Sequence, residues 1–246
     1  MREPDAAFAD PRQAVLYDAF DDDRSDLDAY VAIAREVGAR RIIDIGCGTG
    51  SLAVRLAGEG LSVVGVDPAT ASLDVARTKP YADRVTWING DATALAGVSI
   101  DAHMAVMTGN VAQVFVSDAD WSDTLAAVHA ALCPGGWFIF ETRRPEVRAW
   151  EGWDVAPTTV ELPDGRVAVI TRTVTVVDLP LVTFEGSTTI GGEILTSSST
   201  LRFRDRPEIE HDLLSHGFAV SDVRDASDRP GKEHVFVARA LDQRAE

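Results

Sequence analysis

Ile43-Asp44-Ile45-Gly46-Cys47-Gly48-Thr49-Gly50 is an apolar strand that ends around an acidic residue and opens into a glycine-rich turn. Glycine has no Cβ, so such a turn lets a backbone pass close to a ligand. Open α/β sheets bind ligands beyond the carboxyl ends of their strands, at the switch point, and a central first strand would put this turn there. Asp67 closes the next strand, about twenty residues on, where a carboxylate can accept both hydroxyls of a ribose. The competing role for Asp67 is a cap on the helix after Pro68. With Asp44 at the strand tip, the pattern points to a nucleoside ligand whose near end is cationic.

Outward from the turn, strands and helices alternate. Strands are expected at 41–45, 61–66, 84–88, 103–107 and 137–141. Helices are expected at 50–57, 69–78 and 118–132, with a short one near 92–96. Several strands are continuous apolar runs, which marks a parallel sheet covered on both faces. The expected core is α/β: a doubly wound, mostly parallel, seven-stranded Rossmann-like sheet. Ahead of it, 11–38 reads as helical. Val15, Leu16 and Ala19 fit one apolar face; Leu27, Tyr30, Val31, Ala34 and Val37 fit another.

After Thr142 the rhythm changes. Residues 160–204 are β-rich, with turn signals at Pro163-Asp164-Gly165, Asp178-Leu179-Pro180 and Gly191-Gly192, and predict three or four antiparallel strands. A helix at 207–216 follows, with Asp205 as cap and Gly217 as stop. Strands at 218–223 and 234–240 close the sheet. The expected division is 1–142 for N-terminal helices and ligand-binding core, 143–205 for an antiparallel insert over the substrate region, and 206–246 for the last helix and closing strands.

A chain of 246 residues accommodates one large α/β domain. No apolar run reaches membrane-spanning length, and Met1-Arg2-Glu3-Pro4-Asp5 has no cationic region followed by an apolar stretch, so no secretory signal is expected. Cys47 lies in the glycine turn and Cys133 precedes Pro134-Gly135-Gly136, places for small residues rather than a disulfide, so a cytoplasmic location is expected. The formal net charge of -16 repels phosphate backbones and disfavours nucleic acid and anionic membranes as partners. Asp21-Asp22-Asp23 reads as a solvated turn, and no cluster with metal-ligand spacing is apparent. Nothing in the pattern sets an oligomeric state.

Two ligand classes share the glycines and the ribose acid. A dinucleotide site prefers Gly-x-Gly-x-x-Gly, whereas here the third glycine comes one place early, at Gly50. Asp44 would also lie near a pyrophosphate, and like charges a few ångströms apart in a partly dry site cost about several kcal/mol. A ligand carrying ammonium and sulfonium groups reverses that sign. A phosphate-binding P-loop needs a Gly-Lys-Ser/Thr ending, which is absent.

Asp44-Ile45-Gly46-Cys47-Gly48-Thr49-Gly50 closely resembles the first motif of class I S-adenosylmethionine-dependent methyltransferases. Val64-Gly65-Val66-Asp67-Pro68 resembles the second and Asn89-Gly90-Asp91-Ala92 the third. The stretch from Asp101 to Asn110 resembles the fourth, and Leu132-Cys133-Pro134-Gly135-Gly136 the turn before the fifth strand. The resemblance covers Arg41 to Thr142 well and the last strands loosely. It implies that Asp44, with Gly46, Cys47, Gly48 and Gly50, holds the methionine end of S-adenosyl-L-methionine. Asp67-Pro68 would take the ribose hydroxyls, Asp91 the adenine amino group, and the Ala92 amide a ring nitrogen. The backbone at Met107 and Thr108 would pass beneath the methionyl portion. Tyr17 and Tyr30 fit either a cap over this site or ordinary helix packing.

Methyl transfer from a sulfonium is a direct displacement in which proximity, orientation and exclusion of water carry much of the catalysis. A base is required only if the acceptor must lose a proton, and no catalytic residue is apparent. His103 reads as structural, His129, His211 and His216 fall on helices, and His234 starts the last strand. Asn110 and Gln113 follow the fourth strand; Glu141, Arg143 and Arg144 end the fifth. Of these, Asn110, Glu141 and Arg143 are the candidate substrate contacts, with Trp150 and Trp153 either walling the acceptor site or packing beneath the insert.

Thr108-Gly109-Asn110-Val111 stands where amino-directed nucleic-acid enzymes carry an Asn-Pro-Pro-Tyr-like tetrapeptide, and neither cysteine suits a pyrimidine-C5 nucleophile. An antiparallel insert at this position resembles the lid of small-molecule methyltransferases. The expectation is therefore a small-molecule acceptor methylated on N or O. The alternatives are a non-catalytic S-adenosylmethionine-binding protein, a fold relative with different sulfonium chemistry, and an NAD(P)-dependent oxidoreductase.

Overall fold

The chain forms eleven strands and seven α-helices among the residues that the computed structural model describes, which are 4–20, 24–96, 98, 100–162 and 165–242. The expected turn at Asp21-Asp22-Asp23 lies outside them, as do Pro163 and Asp164. The strands are β1 (Arg41–Ile45), β2 (Ser62–Asp67), β3 (Val85–Asn89), β4 (Ala102–Met107), β5 (Leu132–Arg143), β6 (Val155–Glu161), β7 (Val167–Asp178), β8 (Leu181–Ile190), β9 (Glu193–Arg202), β10 (Phe218–Asp225) and β11 (Glu233–Ala240). The helices are α1 (Ala6–Ala9), α2 (Pro11–Phe20), α3 (Asp28–Glu36), α4 (Ser51–Gly58), α5 (Thr70–Ala76), α6 (Asp118–Ala131) and α7 (Arg206–Ser215).

Seven strands make one sheet in the order β3-β2-β1-β4-β5-β11-β10. β1 to β5 run parallel, and β11 pairs antiparallel with β5 and β10. The order reverses between β1 and β4, so the turn after β1 sits at the switch point.

Side-chain alternation divides the core into two layers. Ile43, Ala105, Phe138 and Phe140 pack with Trp121, Leu125 and Val128 of α6 and Ile209 and Leu213 of α7. Ile42, Met104, Val106 and Ile139 pack with Tyr30, Val31 and Ala34 of α3 and Leu52 and Leu56 of α4. Phe140 is stacked between Phe236, 5.1 Å away, and Phe138, 4.8 Å away, with Trp121 edge-on at 5.8 Å. Each such fully buried side chain stabilises by about 1.5–3 kcal/mol. Asp205 caps α7 by accepting the Glu208 amide at 2.8 Å, and Gly217 ends it at φ +81°, as expected.

The remaining strands form an antiparallel sheet in the order β6-β7-β8-β9. It rests on two small apolar clusters. Trp150, Val182 and Phe203 form one; Leu162, Ala168, Ile190 and Leu195 form the other, with Leu16 of α2 inserted. Helix α2 thereby joins the insert to the core.

Three expectations are corrected. The fifth strand begins at Leu132, not at 137, because Ala102 pairs with Leu132 while Met104 pairs with Trp137. The extra residues of the Cys133-Pro134-Gly135-Gly136 stretch bulge within the strand, with Gly135 at φ +71°. The β-rich region begins at Val155 rather than 160, since β6 pairs with β7 through threonines that carry little apolar signal. Val15 is 54% exposed, while Ala14 and Leu16 are buried, so the inner face of α2 is turned from the one expected.

Candidate active site

Asp44, the glycine turn, Asp67, Asp91, Met107 and Thr108 gather along the carboxyl ends of β1 to β4. The turn is built by hydrogen bonds from Gly46 N–H and Cys47 N–H to the Val66 carbonyl, at 2.8 and 3.1 Å, which bind it to β2. Its glycines differ in purpose. A Cβ on Gly46 would lie 2.6 Å from Val111, so this glycine lets the loop after β4 close over the turn. One on Gly50 would lie 2.6 Å from Trp87 and 2.8 Å from Ala76, so packing of α4 against its neighbours requires it. Beside Gly48 there is nothing within 4 Å. Only that glycine faces open space.

The two acids next to the turn are buried. Asp44 is 1% exposed, and its Oδ1 has no hydrogen-bond partner among the described residues. Burial, aided by the Asp67 carboxylate, raises its pKa to about 7. Asp67 accepts the Gly48 amide on Oδ2 and the Ala69 amide on Oδ1, each at 2.8 Å. Helix entry and turn are thus both held by one carboxylate, and burial again raises its pKa. Cys47 packs its sulfur toward Gly65, and burial among these carboxylates pushes the thiol up. It contributes backbone to the turn and is no thiolate. Asp91 accepts the Thr93 amide at 3.0 Å and caps the short helix Ala92–Leu95. Asn89 donates to the carbonyls of Asp67 and Pro68, locking β3 to β2 at this edge.

The N-terminal helices cover the turn from outside. Thr49 Oγ1 donates to Asp18 Oδ1 of α2 at 2.6 Å. Lys79 meets the other Asp18 oxygen at 2.7 Å and donates to Ser51 at 2.9 Å. Neither Asp18 nor Lys79 was singled out from sequence, since each is an ordinary surface residue until the helices dock. Tyr17 packs its ring on Phe8, 5.6 Å away.

The expected substrate contacts lie on the far side of β4. Asp44 pairs with Val106 and Val106 with Ile139, so Glu141 stands two strands over and two residues further along. Lateral separation is about 10 Å. Asn110, at φ +61°, donates its backbone N–H to Glu141 Oε1 at 3.2 Å. Tyr30 O–H donates to the other Glu141 oxygen, and is driven further toward its neutral form by burial and that carboxylate. Burial and the nearby Glu233 raise the Glu141 pKa. Arg143 donates to Gln113 at 2.9 Å and lies over the Trp153 ring at 5.1 Å.

Trp150 and Trp153 pack on Phe203 beneath the insert, the second of the two roles open to them. His103 accepts the Arg40 and Arg41 amides, His129 meets the Gly217 carbonyl, and His216 meets Ser122, all structural contacts. Glu233 was missed altogether. It starts β11 opposite Arg143, one residue before the strand expected at 234, and only that register reveals it.

Residues 42–136 match the family described as methyltransferase domain. The stretch from β1 to the start of β5 is thus similar to a methyltransferase domain. The sheet order, switch-point turn and insert are those of a Rossmann-like methyltransferase fold. The cypemycin N-terminal methyltransferase of Streptomyces is 28% identical over 147 residues, 59% of each chain. The ubiquinone biosynthesis O-methyltransferase of Paracidovorax citrulli is 28% identical over 111 residues, 45% of this chain and 47% of that one. The chain spans about half the length of the curated relatives it matches.

Beyond that stretch, most of the chain shares its fold with the S-adenosylmethionine-bound amino pentose methyltransferase of Micromonospora echinaspora. The TM-score is 0.72 at 20% identity, over 92% of this chain and 95% of that one. No helix among the described residues is long and apolar enough to cross a membrane.

Proposed function

We propose that this chain is an S-adenosylmethionine-dependent methyltransferase that transfers a methyl group to nitrogen or oxygen of a small-molecule acceptor. The observation that carries this reading is Asp44 Oδ1, a buried acceptor without a partner among the described residues, on the strand that feeds a turn whose Gly48 faces open space. A buried carboxylate in that state is costly unless a cation or donor meets it. Phosphate would worsen the cost; an ammonium or sulfonium end relieves it.

The residues present fit S-adenosylmethionine. Asp44 and the amides of the Gly46-Cys47-Gly48 turn would hold its methionine end, with Gly50 shaping the turn from behind. Asp67, next to Pro68, retains lone pairs for ribose hydroxyls beyond the two amides it accepts. Asp91 and the Ala92 amide would meet the adenine, and the backbone at Met107 and Thr108 would line the floor. When bound, the cofactor supplies an electrophilic methyl group.

The chain's own part is orientation and exclusion of water. Helix α2 covers the turn through Asp18 and Thr49, and the insert carries that cover onward through Leu16. Asn110, Glu141 and Arg143 orient the acceptor. The working division is a cofactor core at 1–142, a substrate-covering insert at 143–205 and a closing unit at 206–246, in a protein of the cytoplasm that binds neither nucleic acid nor membrane.

Calorimetry with S-adenosylmethionine and with NAD tests the cofactor, and an isotope-labelled methyl assay on a metabolite extract tests transfer. Binding of NAD but not of the sulfonium would sink the proposal. Tight sulfonium binding with no labelled product would favour a non-catalytic binding protein.

A further inference from the structure

Four segments meet at a buried polar cluster on the β5–β11 side of the site. Tyr30 comes from α3, Asn110 from the loop after β4, Glu141 and Arg143 from the end of β5, and Glu233 from the start of β11. Asn110 and Glu233 are 2% and 1% exposed. Donors crowd one Glu233 oxygen: Oε1 accepts Asn110 Nδ2 at 3.1 Å and an Arg229 N–H at 2.8 Å, with Arg143 Nε at 3.7 Å. Its Oε2 has no partner among the described residues, and neither has Asn110 Oδ1.

The amide orientation is fixed, because only Nδ2 can face a carboxylate. Both unmet atoms are therefore acceptors. Each such atom costs about 1–3 kcal/mol while buried and unpaired. A single group that answers both must bring at least two hydrogens. A lone hydroxyl brings one, and a carboxylate or carbonyl brings none.

We propose that Glu233 and Asn110, backed by Glu141, form a recognition site for the protonated amine of the acceptor. An ammonium offers two or three donors and the charge that two buried carboxylates favour. Arg229 does not cancel them fully, since its side chain is 42% exposed and screened by solvent. Arg143 spends a closer contact on Gln113. The assignment rests on the methyltransferase reading and narrows it to acceptors that carry an amine; for that nitrogen to be the one methylated, it must first pass its proton to the Glu233 or Glu141 carboxylate.

The test uses cyclohexylamine and cyclohexanol as matched probes in ligand-observed NMR, on the full chain and on Glu233→Gln and Glu141→Gln. The amine should bind about tenfold or more tightly than the alcohol, the usual worth of a charge-assisted hydrogen bond. Glu233→Gln should erase that preference and leave S-adenosylmethionine affinity, measured by calorimetry, within about twofold. Glu141→Gln should weaken amine binding in a chain that keeps its Tyr30 contact, which guards against a folding defect in the first variant. Equal binding of both probes, amine binding untouched in both variants, or no amine binding by a chain that takes up the cofactor would each overturn the assignment. Amine binding without cofactor binding would instead overturn the methyltransferase reading and leave this site standing.

Discussion

The backbone N–H of Gly48 donates to Asp67 Oδ2 at 2.8 Å, so the one open glycine and the acid that closes β2 form a single hydrogen-bonded unit. Asp67 holds the shape of the turn as well as offering lone pairs to a ligand. Asp67→Ala should therefore lower both affinity and stability. Loss of a charge-assisted contact predicts about 10–100-fold weaker S-adenosylmethionine binding, and two unmet amides predict a stability loss of about 1–3 kcal/mol. Calorimetry and denaturant unfolding separate the two effects. Wild-type affinity in the variant would remove Asp67 from the site.

Gly48 and Gly50 should respond oppositely to alanine. At Gly50 the new Cβ meets Trp87 and Ala76 at φ +76°, so Gly50→Ala should unfold at a lower temperature, by overpacking of about 1–3 kcal/mol plus left-handed strain. At Gly48 there is room for the methyl group, and only the strain of φ +52° remains, about 1–2 kcal/mol. Gly48→Ala should instead lose more affinity than stability. Thermal melts with and without S-adenosylmethionine test the contrast, and equal stability losses would refute it.

Asp44 makes the chain sensitive to pH near neutrality. Its folded pKa stands at about 7, above the 3.8 of a free carboxyl, so its contribution to stability is fully present below about pH 4 and is lost as pH rises through about 7. Asp67 and Glu141 are shifted the same way by burial. A cationic ligand reverses the preference, because it favours the ionised form. S-adenosylmethionine affinity should rise with pH up to about 7 and binding below that should release protons, measurable by calorimetry in buffers of different ionisation enthalpy. Asp44→Asn should flatten the profile; an unchanged profile would assign the titration to another group.

Asp18 ties α2 to the glycine turn through Thr49 and Lys79. Removing it deletes a short hydrogen bond and a partly buried ion pair, together worth about 1–2 kcal/mol. Asp18→Ala should raise amide exchange across α2 and weaken cofactor retention, with little change in the β4 and β5 amides. Exchange rates that stay as in the parent chain would mean that Leu16 and the insert hold α2 alone.

Phe140→Ala removes the ring between Phe138 and Phe236 in the middle of the sheet and should cost about 3–5 kcal/mol. Urea unfolding checks this. A loss under 1 kcal/mol would mean that the neighbouring rings collapse into the gap.

The strand-helix alternation, the parallel sheet, the antiparallel insert and the glycine turn were legible because their signals are local. Apolar runs, turn residues and a carboxylate at a fixed offset from glycines lie within a few residues of one another. Boundaries failed where the local signal was weak: threonines at the start of β6, and a bulge at Cys133-Pro134-Gly135-Gly136 that reads as a turn. Pairing of Asn110 with Glu233, 123 positions apart, leaves no local trace.

The sequence by itself determined that Asp44, Gly48 and Asp67 gather at the ends of β1 and β2, since they sit at spacings that the fold converts directly into proximity. Only the tertiary structure decided which glycine faces open space and which merely makes room for Trp87. It alone brought Tyr30, Asn110, Glu141 and Glu233 together. Short-range hydrogen bonding and strand period write the first kind of fact into neighbouring residues. The second kind depends on strand order and register across the sheet, which no short stretch of chain encodes.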